Sequence, residues 1–325
     1  MLRAFTARRI AAAAAYGGGG ITALGGLTFG LIVAEAKLAR RLITATPGAD
    51  PPVADGLYGG PGGVPLSLVM IGDSTAAGLG VRTPAETPAA MLAAGLSAIA
   101  GRPVRLTNVA RSGARSHALS GQVDRALQAR PDIAVIMIGG NDVTSRVPPA
   151  ESVRHLGYAV ERLRAAGSHV VVGTCPDLGT VKPLKQPLRR IARRASRQLA
   201  AAQTIAVVER GARSVSLGDL LGREFEADPR SMFSEDRYHP SARGYAAACA
   251  AVLPSMACEL GLEPEAADLP DGGVLPVYLA AAEAAETPGT EVHTATVEDR
   301  GRVRRAALLK RRLTPRRPTR QPQAS

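Results

Sequence analysis

The sequence predicts an α/β fold with three layers, in which a central parallel sheet of about five strands lies between two layers of helices. Two observations predict it. Short apolar runs recur along residues 66–209, and segments with helical spacing lie between them. Apolar strands separated by helices are typical of a parallel sheet that is covered on both faces. A chain of 325 residues can also bury a sizeable core.

The predicted elements follow one another in regular alternation. The strands are expected at 66–72, 104–110, 132–140, 169–175 and 204–209. The helices are expected at 85–100, 117–129, 151–166, 187–202 and 242–260, and the one at 187–202 is amphipathic and rich in Arg. Together they predict a single domain over residues 63–262.

The first 62 residues differ in composition from this domain. A basic segment, 1–9, precedes 25 uncharged residues, 10–34, and a linker rich in Pro and Gly follows at 35–62. About 20 apolar residues suffice to cross a bilayer, so 10–34 is predicted to be a transmembrane anchor. A secretory signal cleaved near Ala36 and a buried helix of a soluble protein are the alternatives. Lys and Arg residues flank segment 10–34 on both sides, so the sequence leaves the membrane orientation of an anchor open.

The last 63 residues, 263–325, are predicted to be a mostly disordered basic tail, with one short helix at 275–285. Residues 300–325 hold ten Lys or Arg residues and no acid. Such a segment is either solvated or attaches electrostatically to an anionic surface. The net charge of +12 lies at the chain ends, because residues 42–299 carry −3. The basic composition therefore does not predict specific nucleic-acid binding by the folded domain.

Cysteine and histidine spacing gives no indication of a metal or cofactor site. The three cysteines form no CxxC pair, and the five histidines show no HExxH spacing. We therefore expect no metal site.

Four short motifs follow the predicted strands or precede the last helix. They are GDS at 72–74, NVARSG at 108–113, GGND at 139–142 and DRYHP at 236–240. In an open α/β sheet, ligands bind beyond the carboxyl ends of the strands, which is where Ser74 is expected. Each motif alone is more typical of an ordinary turn or a helix cap. Together they supply the groups that acyl transfer through a serine requires.

Each motif predicts one part of that site. Ser74 is the candidate nucleophile, His239 its base, and Asp236 the carboxylate that orients His239. The backbone N–H groups of Ser74 and Gly113 and the side-chain amide of Asn141 are candidate donors to an oxyanion. These five residues are the predicted catalytic and oxyanion-hole residues.

The four motifs resemble the conserved blocks of the SGNH/GDSL hydrolase family, over about 190 residues. The resemblance implies a flavodoxin-like α/β/α fold, no cofactor, Ser74 as nucleophile, Gly113 and Asn141 as oxyanion donors, and Asp236 and His239 as their catalytic partners. Thr75 stands where the family's older name has Leu. No GxSxG surrounds Ser74, so the α/β-hydrolase elbow is not expected.

The resemblance implies a serine hydrolase that acts on ester bonds. With the predicted anchor, the expectation is an envelope-associated esterase that acts on a small-molecule ester, with its catalytic domain outside the cytoplasm. Lipids and acylated sugars are among the candidate substrates, and the sequence leaves the choice open. An acyltransferase that uses the same site to acylate a sugar or glycerol is the alternative. A membrane-tethered binding module without catalysis is the third hypothesis.

Overall fold

A mixed β-sheet forms the centre of the molecule. The computed structural model describes residues 50–181, 184–218, 225, 228–262, 274–275, 277–286, 290–299 and 302–311. Within those ranges nine strands pair in the order β1-β3-β2-β4-β5-β6-β8-β9-β7. Their bounds are β1 Gly56–Tyr58, β2 Leu66–Gly72, β3 Val104–Asn108, β4 Ile133–Met137, β5 His169–Gly173, β6 Arg213–Val215, β7 Val274–Leu275, β8 Thr290–Asp299 and β9 Arg302–Arg311.

The five strands from β2 to β6 are parallel, in the spatial order β3-β2-β4-β5-β6. This confirms the predicted α/β class and the flavodoxin-like strand order. From β2 the chain first crosses to β3 on one side and then returns to β4 on the other. Loops that leave β2 and β4 therefore diverge and open a crevice at the carboxyl ends of these two strands.

Helices cover both faces of the sheet. Their bounds are α1 Ser74–Ala77, α2 Pro88–Ala100, α3 Leu119–Gln128, α4 Gly140–Thr144, α5 Pro149–Ala165, α6 Leu188–Val208, α7 Pro229–Met232, α8 Ala242–Glu259 and α9 Val277–Glu286. Residues of α2 and α8 pack on one face, around Met70 and Val135. Residues of α3, α5 and α6 pack on the other, around Ile71 and Ile136. The predicted three layers are confirmed.

The last parallel strand lies later in the sequence than predicted. Residues 204–209 were expected to form a strand, but α6 continues to Val208 and the strand is Arg213–Val215. The four apolar residues 205–208 do not distinguish the end of a buried helix from a strand. Arg213 and Ser214 are polar yet buried, which hid the true strand from a hydrophobicity pattern.

The sheet begins inside the segment predicted to be a linker. Gly56–Tyr58 pairs antiparallel with β3, and Ala54 is buried. The Tyr58 hydroxyl donates to the Ala54 carbonyl at 2.6 Å, and the Asp55 carboxylate accepts from the Asn108 N–H at 2.7 Å. The Gly and Pro content of 35–62 hid this edge strand. Residues 1–34, which include the predicted anchor, lie outside the described residues. Among the residues that the structure describes, no helix is long and apolar enough to cross a membrane.

Part of the segment predicted to be a disordered tail forms a helix and strands within the described residues. The helix expected at 275–285 is present as α9, and β8 pairs antiparallel with β6, with Val292 opposite Ser214. Val292 packs against Val208 and Ala280. The charged composition suggested solvation, but Glu291 is buried because it pairs with Arg213.

Candidate active site

The turn after β2 places Ser74 at the crevice. Gly72 has a φ of +144°, and a Cβ on it would collide with the carbonyl oxygen of Met137 on β4. The close approach of the two strands at this point therefore requires glycine. The Asp73 carboxylate then accepts from the Thr75 N–H at 2.9 Å and caps α1, whose first residue is Ser74.

Ser74, His239 and Asp236 form a continuous chain of hydrogen bonds. His239 Nε2 lies 3.0 Å from Ser74 Oγ, and His239 Nδ1 lies 2.6 Å from Asp236 Oδ2. The structure thus brings together two predicted motifs that are separated by 165 residues in the sequence. Ser74 and His239 are both buried, with 8% of each residue exposed. A serine hydroxyl in this arrangement has a base within reach, and the base has a partner that fixes its orientation.

A tight turn holds the Asp236 carboxylate against His239. Asp236 Oδ1 accepts from Ser234 Oγ at 2.7 Å, from the Tyr238 N–H at 2.8 Å and from the His239 N–H at 2.9 Å. Arg237, at a φ of +56°, makes the turn. Burial raises the pKa of Asp236, but the bonds from His239, Ser234 and Tyr238 outweigh it and hold that pKa well below its usual range. The carboxylate is therefore ionised at neutral pH.

Asn141 lies at the start of α4, directly after β4. Gly139 reaches this helix with a φ of +139°, and a Cβ on its neighbour Gly140 would lie 3.9 Å from the Tyr238 hydroxyl. Asn141 lines the pocket, and its Nδ2 donates to the Ala114 carbonyl at 3.1 Å. An amide NH₂ carries two protons, so one can hold Ala114 while the other remains available to a ligand.

Gly113 lies in an exposed turn that is tied to the segments carrying Ser74 and Asn141. The Arg111 N–H donates to the Gly72 carbonyl at 3.1 Å, and Ala114 accepts from Asn141. Gly113 itself has a φ of +77°, and a Cβ there would meet no atom within 4 Å. The turn therefore needs glycine for its backbone conformation rather than for space.

Three buried polar side chains that the motifs did not single out position these segments. Asp142 is fully buried, accepts from the Ser116 N–H at 3.1 Å with both carboxylate oxygens, and accepts from Ser152 Oγ at 2.9 Å. It links the Gly113 turn to α4 and α5. In the sequence, its place beside Asn141 in GGND was the available signal, and it also fits an ordinary turn.

The other two are glutamines on helices that flank the sheet. Gln122 pairs with both backbone polar groups of Gly72, at 2.7 and 2.9 Å. Gln203 accepts from the Cys175 N–H at 2.7 Å and donates to the Ile138 carbonyl at 2.9 Å. Both satisfy strand-end groups where the parallel ladder stops, and they thereby fix the loops of the crevice. A glutamine within a helical pattern gives no sequence signal for this role.

Beside Ser74, Asp73 is a buried carboxylic acid. Burial raises its pKa to about 6, although the Thr75 N–H, the charge of His239 and the Gly139 N–H act in the opposite direction. The pKa values of Asp73 and Asp236 are thus shifted in opposite directions, although both carboxyls interact with His239.

The pocket beside the triad has a polar end and an apolar wall. Ser74, Asn141 and His239 line the polar end. The wall is built from apolar side chains of the β5–α6 loop and of the segments around β6 and α7: Leu178, Val181, Leu217, Phe225 and Phe233. This division suits a ligand with a carbonyl group at one end and a hydrocarbon at the other. Among the described residues, no group of three or more His, Cys, Asp and Glu side chains could hold a metal ion.

Comparison with known proteins gives a family match over the part of the chain that contains these site residues. Residues 70–247 match the GDSL-like Lipase/Acylhydrolase family. The chain is 45% identical over 230 residues to the GDSL-like esterase Rv1075c of Mycobacterium tuberculosis, which covers 67% of this chain and 73% of that protein.

Solved structures are more distant. A catalytic mutant of Axe2, an acetylxylan esterase from Geobacillus stearothermophilus, is 19% identical and covers 62% of this chain and 97% of its own, with a TM-score of 0.46. TesA is 25% identical, and the match covers 61% of this chain and 99% of TesA, with a TM-score of 0.44. The family match spans more than half of the chain and contains the motifs of Ser74, Gly113, Asn141, Asp236 and His239. The chain therefore belongs to the GDSL-like lipase/acylhydrolase family and is a serine hydrolase that acts on ester bonds.

Proposed function

We propose that this esterase is associated with the cell envelope and hydrolyses carboxylic esters through an acyl-enzyme on Ser74. The hydrolysis proposal rests on two successive hydrogen bonds: Ser74 Oγ to His239 Nε2 at 3.0 Å, and His239 Nδ1 to Asp236 Oδ2 at 2.6 Å. Because ionised Asp236 accepts from Nδ1–H, the neutral imidazole has Nε2 free to accept the serine proton. This tautomer is assigned from the hydrogen-bond partners.

In the first half of the reaction, Ser74 Oγ attacks the ester carbonyl carbon as His239 Nε2 takes its proton. The carbonyl π electrons move to the oxygen, and the oxyanion accepts from the N–H groups of Ser74 and Gly113 and from Asn141 Nδ2. The carbonyl then reforms, the bond to the alcohol oxygen breaks, and the imidazolium returns its proton to the departing alcohol. Asp236 stabilises the imidazolium throughout.

In the second half, water replaces the alcohol. His239 takes a proton from the water, whose oxygen attacks the acyl carbon and forms a second oxyanion at the same donors. Collapse breaks the bond to Ser74 Oγ, which recovers its proton from His239, and the carboxylic acid leaves. The apolar wall formed by Leu178, Val181, Leu217, Phe225 and Phe233 is proposed to hold the acyl chain.

The test is covalent labelling combined with product analysis. The parent chain should react with a fluorophosphonate probe and release free acid from p-nitrophenyl butyrate, whereas Ser74→Ala should do neither while keeping its circular dichroism. Residual turnover above about a tenth of the parent rate would exclude Ser74 as the nucleophile, since loss of a triad member typically costs many thousand-fold. An acylated acceptor instead of free acid, on adding glycerol or a sugar, would favour an acyltransferase.

Envelope association is supported by the uncharged segment 10–34 and the basic residues on its two sides. The full chain is expected to fractionate with membranes, whereas a chain lacking residues 1–45 should be soluble and active on the same ester. Full-length protein with an intact N-terminus in the soluble fraction would contradict an anchor. A mature N-terminus beginning at Lys37 would show a cleaved signal instead.

A further inference from the structure

A concentrated positive charge lies next to the apolar wall of the pocket. Residues 182–197 contain seven Lys or Arg residues and no acid, although residues 42–299 as a whole carry a net charge of −3. Most of this segment is the first half of α6, which begins at Leu188. The two faces of this half-helix have different surroundings.

The inward face is bonded to the pocket wall. Arg189 Nε donates to the Gly179 carbonyl at 2.6 Å, and Arg197 Nε donates to Asp177 Oδ2 at 3.1 Å. Gly179 admits the helix closely, because a Cβ on it would lie 2.5 Å from the Cβ of Arg193. Since Asp177 and its neighbour Leu178 both line the pocket, these bonds attach the start of α6 directly to the pocket wall.

The outward face carries charge around an apolar side chain. Arg190, Ile191 and Arg194 are all exposed and lie within one turn of each other, and Ile191 is 49% exposed. Lys185, also exposed, precedes the helix. The fold does not require these three helical side chains to be arginine or isoleucine, because they face solvent. Cations that flank an exposed apolar residue are typical of helices that lie on an anionic membrane surface.

We propose that the face formed by Lys185, Arg190, Ile191 and Arg194 docks on an anionic lipid surface and thereby brings the pocket to that surface. The cations would contact lipid phosphates, and Ile191 would enter the boundary between headgroups and acyl chains. The contact is a binding property of α6, independent of the acyl-enzyme chemistry. It must weaken with salt, because the Debye length falls to about 3 Å at 1 M.

A fluorescent probe at residue 191 tests the contact directly. The full chain carrying Cys258→Ser and Ile191→Cys is labelled with nitrobenzoxadiazole and held in Triton X-100 micelles, with or without phosphatidylglycerol. Its emission should shift to the blue and intensify with phosphatidylglycerol, but not with phosphatidylcholine, and 1 M NaCl should reverse the change. The control label is at Ile99→Cys, which is also exposed but lies at the end of α2, near the amino-terminal ends of the strands.

Paired charge reversals test the consequence for catalysis. On a p-nitrophenyl ester carried in the micelles, phosphatidylglycerol should raise kcat/KM of the parent chain roughly 10- to 30-fold, from the attraction of two arginines to anionic lipid. Arg190→Glu/Arg194→Glu should lose this gain. Arg102→Glu/Arg105→Glu changes the net charge by the same amount at the opposite end of the sheet. This variant should keep the gain in kcat/KM. All three proteins should hydrolyse soluble p-nitrophenyl acetate at similar rates.

The outcomes separate this contact from its rivals. An unshifted probe at residue 191, or an equal shift at residue 99, would overturn the proposal and would place any lipid attachment elsewhere, such as the predicted anchor or the basic residues 300–325. Equal loss by both charge-reversal variants would reduce the effect to net charge and would also overturn it. A shifted probe in a protein that hydrolyses no ester would support the contact while refuting the proposed esterase mechanism.

Discussion

Two carboxylic acids that interact with His239 have pKa values displaced in opposite directions. Asp236 accepts from three donors besides the imidazole, and its pKa lies below its usual range. Asp73 is enclosed by protein, and burial raises its pKa to about 6. Asp236 is thus a permanent charge that orients the base, whereas Asp73 gains or loses a charge near neutral pH.

Asp73→Asn should therefore stabilise the protein more at pH 7.5 than at pH 4. The folded-state pKa of about 6 exceeds the unfolded value of 3.8. As the pH rises through this window, the unfolded chain ionises first, so the free energy of unfolding of the parent falls. Between pH 4 and pH 7.5, the stabilisation by Asp73→Asn relative to the parent should grow by up to about 3 kcal/mol. Denaturant titrations at both pH values measure it, with the exposed Asp50→Asn as control. An offset that does not change with pH would contradict the raised pKa.

Asn141→Ala should lower kcat about 100-fold or more and leave KM nearly unchanged. The amide is proposed to bind the oxyanion, which exists only in the transition state and the tetrahedral intermediates. Part of the loss will come from the Gly113 turn, because Asn141 also holds the Ala114 carbonyl. Steady-state kinetics on p-nitrophenyl butyrate measure kcat and KM separately, and Thr144→Ala in the same helix is the control. A change in KM alone would make Asn141 a binding residue instead.

At the scale of elements, two glycines of the site serve different physical needs. Gly72→Ala should abolish activity and destabilise the fold severely, because its Cβ would collide with the backbone of β4. Gly113→Ala should retain activity within about fivefold and cost on the order of 1 kcal/mol, since its Cβ meets open space and only the left-handed conformation is strained. Thermal melting and ester kinetics compare the two. Severe inactivation of well-folded Gly113→Ala would mean that a side chain at this position obstructs the substrate or displaces the proposed oxyanion donor.

Elements could be predicted from the sequence where the residues that define them are consecutive, and were missed where they depend on partners far away in the sequence. The run at 132–140 and the turn from Asp236 to His239 carry their pattern in consecutive residues, so both were predictable. The strand Arg213–Val215 was missed because its burial depends on Glu259 and Glu291, which lie far away in the sequence. Gln122 was missed for the same reason, because its partner Gly72 is 50 residues distant.

At the scale of the whole molecule, the edge of the parallel sheet at β6 is covered by the C-terminal segment. Arg213 donates to Glu259 at 2.8 Å and to Glu291 at 2.5 Å, and Ser255 donates to Glu291 at 2.9 Å. Burial lowers the pKa of Arg213, but the two glutamates outweigh it and raise that pKa. The network joins β6, α8 and β8, so the folded unit extends beyond the boundary predicted at residue 262.

Two truncations should therefore behave differently. Ending the chain after Leu262 removes Glu291 and Val292, exposes the β6 edge and leaves Arg213 with one carboxylate instead of two. Breaking a buried ion pair costs about 3–5 kcal/mol, so this protein should melt well below the parent or aggregate. Ending it after Asp299 keeps the β6–β8 pairing, and hydrolysis of a small soluble ester should persist near the parent rate.

Glu291→Gln separates the charge from the strand. It keeps the β6–β8 backbone pairing and a side-chain oxygen that can accept from Arg213 Nη1, but it removes the negative charge. Its loss of stability in denaturant titrations should lie between those of the two truncations. If the chain ending at Leu262 were as stable as the parent, the domain would be complete without β8. The second carboxylate, that of Glu291, would then contribute nothing to stability, and Glu259 alone would suffice to pair the buried Arg213.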